Sequence, residues 1–185
     1  MTSIEVTVGV HEGQDAAEQL DAILPVYEEA YAEPPYLEGP RDVAEFLERF
    51  ARQTQRPGFR MAVACDSDGA PVGFTFGYRL PPDTTWWKSA LTPLPDDFTT
   101  ETGDRTFVII ELAVRAPWRR RGIARRLHDA LVTGQPVERV TLTTRPEPEA
   151  APAQSAYAAW GYRTIGLSQP WPGAPIYNSL VLDLG

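Results

Sequence analysis

The sequence predicts an α/β protein with one mixed, twisted sheet of about seven strands, flanked by about four helices. Two observations lead to this fold class. Segments rich in β-branched and aromatic residues alternate along the chain with segments whose apolar residues recur at helical spacing. Some neighbouring strands are joined by short turns and others by a helix, so both antiparallel and parallel pairs are expected. The length of 185 residues suits a single domain spanning 1–185.

The first strand and the first helix are predicted near the N-terminus. Residues 4–10 alternate between apolar and polar side chains, which indicates a strand. Asp15 and Glu18 have the spacing of a capping box, and the residues after them repeat at helical period. Pro25 is expected to kink or divide this helix, because proline removes a backbone donor and its ring crowds the preceding turn.

A second helix, a hairpin and a long loop are predicted next. Gly39-Pro40 precedes an apolar stripe of helical spacing, so a helix is expected to open there. Residues 59–65 and 72–80 predict two strands joined by a tight turn. Residues 81–105, with Trp86-Trp87, indicate a surface loop. This loop could border a substrate site, or its tryptophans could cover an exposed sheet edge, and the sequence favours neither.

The second half of the chain predicts a central strand over residues 107–114, because FVIIELAV is apolar on both faces apart from Glu111. A basic turn and a helix follow, with His128 expected on the outer face of that helix. The remaining elements complete the order βααβββαβαββ with a strand over 139–144, a helix over 152–160 that stops at Gly161, and strands over 162–167 and 176–184.

Composition excludes several classes of protein. Apolar residues make up 43% of the chain, but no apolar run approaches the roughly 18 residues that cross a membrane. The N-terminal residues lack the pattern of a secretory signal, and Cys65 is the single cysteine, so we expect a cytoplasmic protein without a membrane partner. The formal net charge of −8 argues against a nucleic-acid partner.

Positive charge is nevertheless concentrated after the central strand, which indicates one anionic ligand of defined geometry. A helix N-terminus carries a partial positive charge and unpaired N–H groups, so arginines are poorly placed there unless an anion is bound. The alternative is a solvated helix start whose arginines pair with carboxylates of the protein. Six arginines lie within twelve residues: Arg115, Arg119, Arg120, Arg121, Arg125 and Arg126.

The turn resembles the signature [QR]-x-x-G-x-[GA] of the GNAT superfamily of acyl-CoA-dependent N-acetyltransferases. The six matching residues follow a strand that ends at Val114, with Pro117 between, as the family places them. A second similarity lies downstream, where Tyr157 is followed three residues later by Trp160-Gly161-Tyr162. The matching residues of the signature are Arg119, Arg120, Arg121, Gly122, Ile123 and Ala124.

The resemblance implies a single GNAT-like domain that uses acetyl-CoA as co-substrate. Backbone amides of residues 119–124 would hold the pyrophosphate, and Arg125 would add a charged contact. Backbone groups of Leu112, Ala113 and Val114 would pair with the pantetheine arm and polarise the thioester carbonyl. No grouping of His, Cys, Asp and Glu has metal-ligand spacing, so no metal is expected.

Two side chains are candidates for proton transfer. Glu111 is the only charge in a strand expected to be buried, and burial raises the pKa of a carboxylate towards the range of a general base. Its alternative role is a structural carboxylate paired with an arginine. Tyr157 is the general acid that the resemblance implies, returning a proton to the CoA thiolate. Its alternative role is packing, because it belongs to an apolar stripe of its helix.

The leading interpretation is therefore an enzyme that transfers an acetyl group to a primary amine of a small molecule or peptide by direct attack in a ternary complex. The alternative is a catalytically inactive acyl-CoA-binding or regulatory domain. The amine pocket could be lined by aromatic and acidic residues, and sheet edges near the C-terminal strands could pair two copies into a homodimer. The proposed lining residues are Tyr31, Tyr36, Trp86, Trp87, Asp96 and Asp97.

Overall fold

The computed structural model of the protein describes residues 5–185, so the first residue of the strand predicted over 4–10 lies outside the described residues. The strands are β1 Thr7–Glu12, β2 Arg60–Cys65, β3 Pro71–Arg79, β4 Thr106–Val114, β5 Arg139–Thr144, β6 Arg163–Ser168 and β7 Tyr177–Asp183. The helices are α1 Gly13–Ala17, α2 Leu20–Tyr31, α3 Pro40–Gln53, α4 Asp96–Thr99, α5 Ile123–Val132 and α6 Ala151–Ala159.

The described strands form one mixed sheet in the order β1-β2-β3-β4-β5-β7-β6, which confirms the predicted fold class. Pairing is antiparallel between β1 and β2, β2 and β3, β5 and β7, and β6 and β7. Strands β4 and β5 pair in parallel, as a helical crossover requires. The chain divides into two compact units, residues 5–78 with 109–135 and residues 79–108 with 136–185.

The first unit has a hydrophobic core that α2 and α3 build against one face of the sheet. Aromatic rings dominate this core, and Phe46, Phe50 and Phe76 are each at most 2% exposed. Residues Met61 and Val63 of β2 join them, whereas the alternate residues of that strand pack elsewhere. This alternation follows from the period of two of a β-strand.

Helix α5 packs in a second cluster of the same unit, with residues that include Ala62, Ala64 and Val72. Its apolar stripe is buried as predicted, and Leu127 is fully buried. The prediction for His128 is wrong, since this side chain is only 3% exposed. The buried face of α5 is therefore wider than its apolar stripe, and burial lowers the pKa of His128 despite the neighbouring Asp129 carboxylate.

The predicted first helix is two helices, α1 and α2, and the break lies at residues 18–19 rather than at Pro25, which α2 accommodates. The predicted capping box is also wrong. Helix α1 already begins at Gly13, and the Asp15 carboxylate instead contacts His11 Nδ1 at 2.8 Å. The extra break, together with the short helix α4, raises the helix number among the described residues from about four to six.

Local signals elsewhere in the first unit were interpreted correctly. Helix α3 begins at Pro40, and the Gly39 N–H donates to Asp42 Oδ2 at 2.8 Å. In the β2–β3 turn, Asp66 Oδ1 accepts from two backbone N–H groups, and Gly69 has a φ of +83°, which is the left-handed region that glycine favours.

The loop over residues 81–105 belongs to the second unit and covers part of the outer edge of β6. The Leu91 N–H donates to the Leu167 carbonyl at 2.9 Å, and the Gln169 N–H donates to the Ser89 carbonyl at 2.8 Å. Ala90 bridges Ser168 between these bonds. The backbone of residues 89–91 therefore covers part of this edge, and a place for the loop beside a substrate site stays a prediction.

A buried ion pair anchors the same loop to β5. Arg139 is 4% exposed and donates to Glu101 Oε1 at 2.9 Å, while the Glu101 side chain is fully buried. The Trp87 indole N–H donates to the same oxygen at 3.0 Å, and Trp87 is 8% exposed. The hydroxyl of Thr106 adds a bond of 2.6 Å. Trp87 is thus part of the buried interior of the second unit.

Candidate active site

The turn after β4 leads into α5 with a backbone that is open to an anion. Arg120 and Gly122 have φ values of +60° and +75°, and Gly122 is the N-cap residue without a side-chain cap. The first intrahelical bond of α5 runs from the Arg126 N–H to the Gly122 carbonyl at 3.1 Å. The N–H groups of Ile123 and Ala124 therefore have no partner within the helix, and they lie at the positive end of its dipole.

The arginines of this turn divide into two groups. Arg119 donates to the Val114 carbonyl at 2.8 Å and to Glu33 at 2.7 Å, so it braces the turn against the end of β4. Arg115 pairs with Glu29 at 3.1 Å, and Arg125 pairs with Asp129 at 3.0 Å. For these three residues the pairing with carboxylates that the sequence left open as an alternative is observed.

Arg120 and Arg121 form the second group, and both are exposed. The Arg121 guanidinium lies 5.4 Å from the centroid of the Trp118 ring, a distance that permits a cation–π contact. An anion at the start of α5 would therefore meet backbone donors and two exposed guanidinium groups, whereas the paired arginines shape the turn.

Close packing beneath the turn requires a glycine in β3. A Cβ atom added to Gly73 would lie 3.0 Å from the Ala113 carbonyl oxygen and 3.1 Å from Leu127 Cδ1. The glycine therefore lets β3 approach both the end of β4 and helix α5, the two elements between which the turn is held.

We expect Gly73→Ala to destabilise the protein by about 1–3 kcal/mol, because a methyl group there overpacks a tight contact. The measurement is urea unfolding. Gly9→Ala in β1 is the matched control, since the nearest atom to its added Cβ is at 3.4 Å, an ordinary contact. Equal stability of the two variants would contradict the importance of the close approach.

Glu111 lies on β4 in the first unit, with a side chain only 11% exposed. Burial removes water from the carboxylate and raises its pKa to about 7, although hydrogen bonding to Tyr31 and the charge of Arg49 both oppose this rise. Arg49 Nη2 is 3.4 Å from Glu111 Oε1. The pKa places Glu111 in the range of a general base, and the arginine pairing that the sequence left open as an alternative is also present.

Arg49, Tyr27 and Glu38 extend this site, and the sequence did not single them out. The Tyr27 hydroxyl donates to Glu38 Oε2 at 2.5 Å and also interacts with Arg49. Burial raises the pKa of Glu38. On the sequence, Tyr27 is one more member of the apolar stripe of α2. A buried charge on β4 was the only signal that a basic partner should exist.

Tyr31 and Tyr36, which were predicted to line the amine pocket, belong to the same unit. Tyr31 hydrogen-bonds Glu111, and its ring meets that of Tyr36 edge-on at a centroid distance of 5.0 Å. Burial and the Glu111 charge raise the pKa of the Tyr31 hydroxyl. The other predicted lining residues, Trp86, Trp87, Asp96 and Asp97, belong to the second unit.

Tyr157 lies in the second unit, on α6, and is 8% exposed. Its ring meets Trp160 and Tyr162 edge-on at centroid distances of 5.3 and 5.4 Å. The Tyr162 N–H donates to the Tyr157 carbonyl at 3.0 Å, which closes the helix after Gly161, where φ is +99°. Tyr157 is therefore held rigidly in an aromatic cluster, as both of its predicted roles would require.

Among residues 5–185, His, Cys, Asp and Glu side chains do not form a group of three or more that could hold a metal ion. The helices of this range do not combine the length and the apolar character needed to cross a bilayer.

The protein thus has a mixed sheet, a turn rich in arginine after β4 and a buried carboxylate on β4. The chain belongs to the Acetyltransferase (GNAT) family, which it matches over residues 22–162. A comparison with curated proteins finds no match.

Solved structures share the fold at low identity. An acetyltransferase from Thermus thermophilus is 15% identical with a TM-score of 0.64, and the match covers 100% of both chains. A GNAT superfamily phosphinothricin acetyltransferase from Sinorhizobium meliloti, solved with AcCoA, is 18% identical with a TM-score of 0.62, covering 97% of this chain and 89% of that one.

A fungal multi-domain β-N-acetylglucosaminidase with a glucosamine N-acetyltransferase region is 15% identical with a TM-score of 0.63. That match covers 90% of this chain but only 18% of the fungal one.

Proposed function

We propose that the protein transfers an acetyl group from acetyl-CoA to a primary amine of a small molecule or peptide, by direct attack in a ternary complex. The observation that carries the proposal is Glu111, a buried carboxylate with a pKa of about 7 on the central strand of a GNAT family member. An amine reaches the site mainly as an ammonium ion, and a base with this pKa can accept its proton near neutral pH.

Acetyl-CoA fits the turn at the start of α5. The N–H groups of Ile123 and Ala124 and the left-handed residues Arg120 and Gly122 make a cradle suited to a pyrophosphate. Exposed Arg120 and Arg121 supply charge beside it, whereas Arg125 would first have to leave Asp129. The backbone of residues 112–114 is the proposed partner of the pantetheine arm, with the Val114 carbonyl already bonded to Arg119.

In the proposed reaction, the amine nitrogen attacks the thioester carbonyl carbon, so a C–N bond forms and the C–S bond breaks. Glu111 accepts one proton from the ammonium ion before the attack and later releases it to water. The second N–H proton leaves the tetrahedral intermediate for water as the amide forms. A backbone N–H within residues 112–114 stabilises the negative charge on the carbonyl oxygen. Tyr157 donates a proton to the departing CoA thiolate and recovers one from water. The products are an N-acetyl amine and CoA.

The test is to incubate the protein with acetyl-CoA and a panel of primary amines that includes polyamines, aminoglycosides, amino acids and peptides. We expect release of free thiol together with a mass increase of one acetyl group on at least one amine class. Calorimetry with acetyl-CoA alone measures binding separately. Binding without acetyl transfer to any amine would contradict catalysis and support an acyl-CoA-binding regulatory domain.

A further inference from the structure

The helix that faces Glu111 carries one cation at contact distance from its carboxylate. Arg49 of α3 has a side chain that is 38% exposed, and its Nη2 atom is 3.4 Å from Glu111 Oε1. Its guanidinium carbon lies 5.8 Å from the centroid of the Phe46 ring, which is fully buried. The guanidinium of Arg49 thus lies near both the Phe46 ring and the Glu111 carboxylate.

Tyr27 of α2 packs against the same Phe46 ring as Arg49. Its ring is 1% exposed and stacks on Phe46 at a centroid distance of 3.9 Å, so the hydroxyl has little freedom. This hydroxyl interacts with Arg49 and donates to Glu38 Oε2 at 2.5 Å. These contacts link four residues in order: Glu38 in the α2–α3 connection, Tyr27 of α2, Arg49 of α3 and Glu111 of β4.

We propose that Arg49 is the positioning residue of the proposed acetyl transfer, a fixed counter-ion that orients the Glu111 carboxylate and keeps it ionised, and that Tyr27 holds Arg49 in place. This inference rests on the proposed function for its catalytic meaning, but the electrostatic coupling exists in the protein alone. Arg49 does not itself exchange a proton with the amine, because a guanidinium stays protonated throughout the working range of pH.

Other groups near Glu111 either oppose or reinforce the effect of Arg49 on the pKa of this carboxyl. Glu38, from the α2–α3 connection, raises the pKa of Glu111, whereas the Tyr31 hydrogen bond lowers it. The charges of Asp42 and Glu45 raise the pKa of Glu38. Burial raises the pKa of Tyr78 in β3, and the charges of Arg56 and Arg49 oppose that rise. Arg49 is thus the cation among these groups that lies at contact distance from Glu111. Its removal should shift the Glu111 titration to higher pH.

The first test is the pH profile of kcat/KM for Arg49→Gln with an accepted amine. For a rise of about one unit in the pKa of Glu111, we expect about a 5-fold loss at pH 7, about a 10-fold loss below pH 6, and near-equality with the wild-type protein at pH 9. Arg49→Lys should recover most of the loss, because it restores the charge. Arg52→Gln, an exposed position on the same helix, is the matched control and should keep the wild-type profile.

The second test does not depend on activity. Carbon-13 NMR of glutamate-labelled protein, with the Glu111 resonance assigned by Glu111→Gln, follows the titration of this carboxyl without acetyl-CoA or amine. We expect a higher midpoint in Arg49→Gln and a smaller rise in Tyr27→Phe, which keeps the ring and removes the hydroxyl. An unchanged midpoint in both variants overturns the proposal.

The two tests separate the possible failures. If no amine is acetylated by the wild-type protein, the proposed function fails, while the NMR titration still decides whether Arg49 controls Glu111. If Arg49→Gln does not fold, as judged by circular dichroism, the titrations of Arg49→Lys and Tyr27→Phe carry the decision. A uniform loss of kcat/KM at every pH, with an unchanged midpoint, would mean a merely structural role.

Discussion

Glu111→Gln is expected to lower kcat/KM for amine acetylation by about 10²–10⁴-fold, the usual contribution of a positioned general base. The substitution keeps the size of the side chain and removes its ability to accept a proton. The pKa of Glu111 is about 7, so wild-type kcat/KM should rise as the pH increases through 7 and the carboxylate ionises. The variant should lack this rise, and its deficit should shrink as the pH approaches the pKa of the acceptor amine.

Steady-state rates between about pH 5 and 9, roughly two pH units on each side of the base pKa, provide the measurement. Glu48→Gln is the matched control, because Glu48 is exposed on α3 and the substitution makes the same change in charge. Binding of acetyl-CoA should be equal in all three proteins. A variant with the wild-type pH profile would assign Glu111 only the structural role of an arginine partner.

Arg139→Met is expected to lower the free energy of unfolding by about 3–5 kcal/mol, the usual effect of leaving a buried charge without its partner. Arg139 is 4% exposed and the Glu101 side chain is fully buried, so water cannot replace the lost contact. Such a loss is a large part of the roughly 5–15 kcal/mol that stabilises a typical domain. Urea unfolding, followed by tryptophan fluorescence, measures the change.

The double variant Glu101→Gln with Arg139→Met separates charge from packing. It should be more stable than Arg139→Met alone, because the buried carboxylate that lacks a partner is gone. Arg163→Met is the control, since its pair with Asp183 is exposed on both sides and should contribute at most about 1 kcal/mol. A double variant less stable than Arg139→Met would contradict the charge explanation.

Features encoded by neighbouring residues could be predicted from the sequence. The start of α3 depends on Gly39, Pro40 and Asp42, which lie within four positions. The end of α6 depends on Gly161, two positions beyond its last residue. Glu111 was also found, because a single charge in an apolar strand is visible without knowledge of its surroundings. The GNAT signature then indicated the fold and the family.

Features that depend on packing could not be predicted in this way. Arg49 and Glu111 are 62 positions apart, and α3 contains several arginines with nothing to distinguish the one that reaches the carboxylate. The burial of His128 depends on what covers α5, which its own periodicity does not show. The sequence also could not show which arginines after β4 pair with carboxylates of the protein. Arg119, for example, pairs with Glu33, which is 86 positions away.

The edge of β6 has a consequence for the behaviour of the protein when many copies are present. Residues 89–91 already satisfy backbone groups of this strand, and a shift in register at residues 164–166 interrupts its pairing with β7. A stray extended segment could pair with the covered part of that edge only after the loop had detached. This part of the edge is thus protected against the strand-by-strand recruitment that begins domain swapping and fibril growth, and a homodimer that paired through it would have to displace the loop.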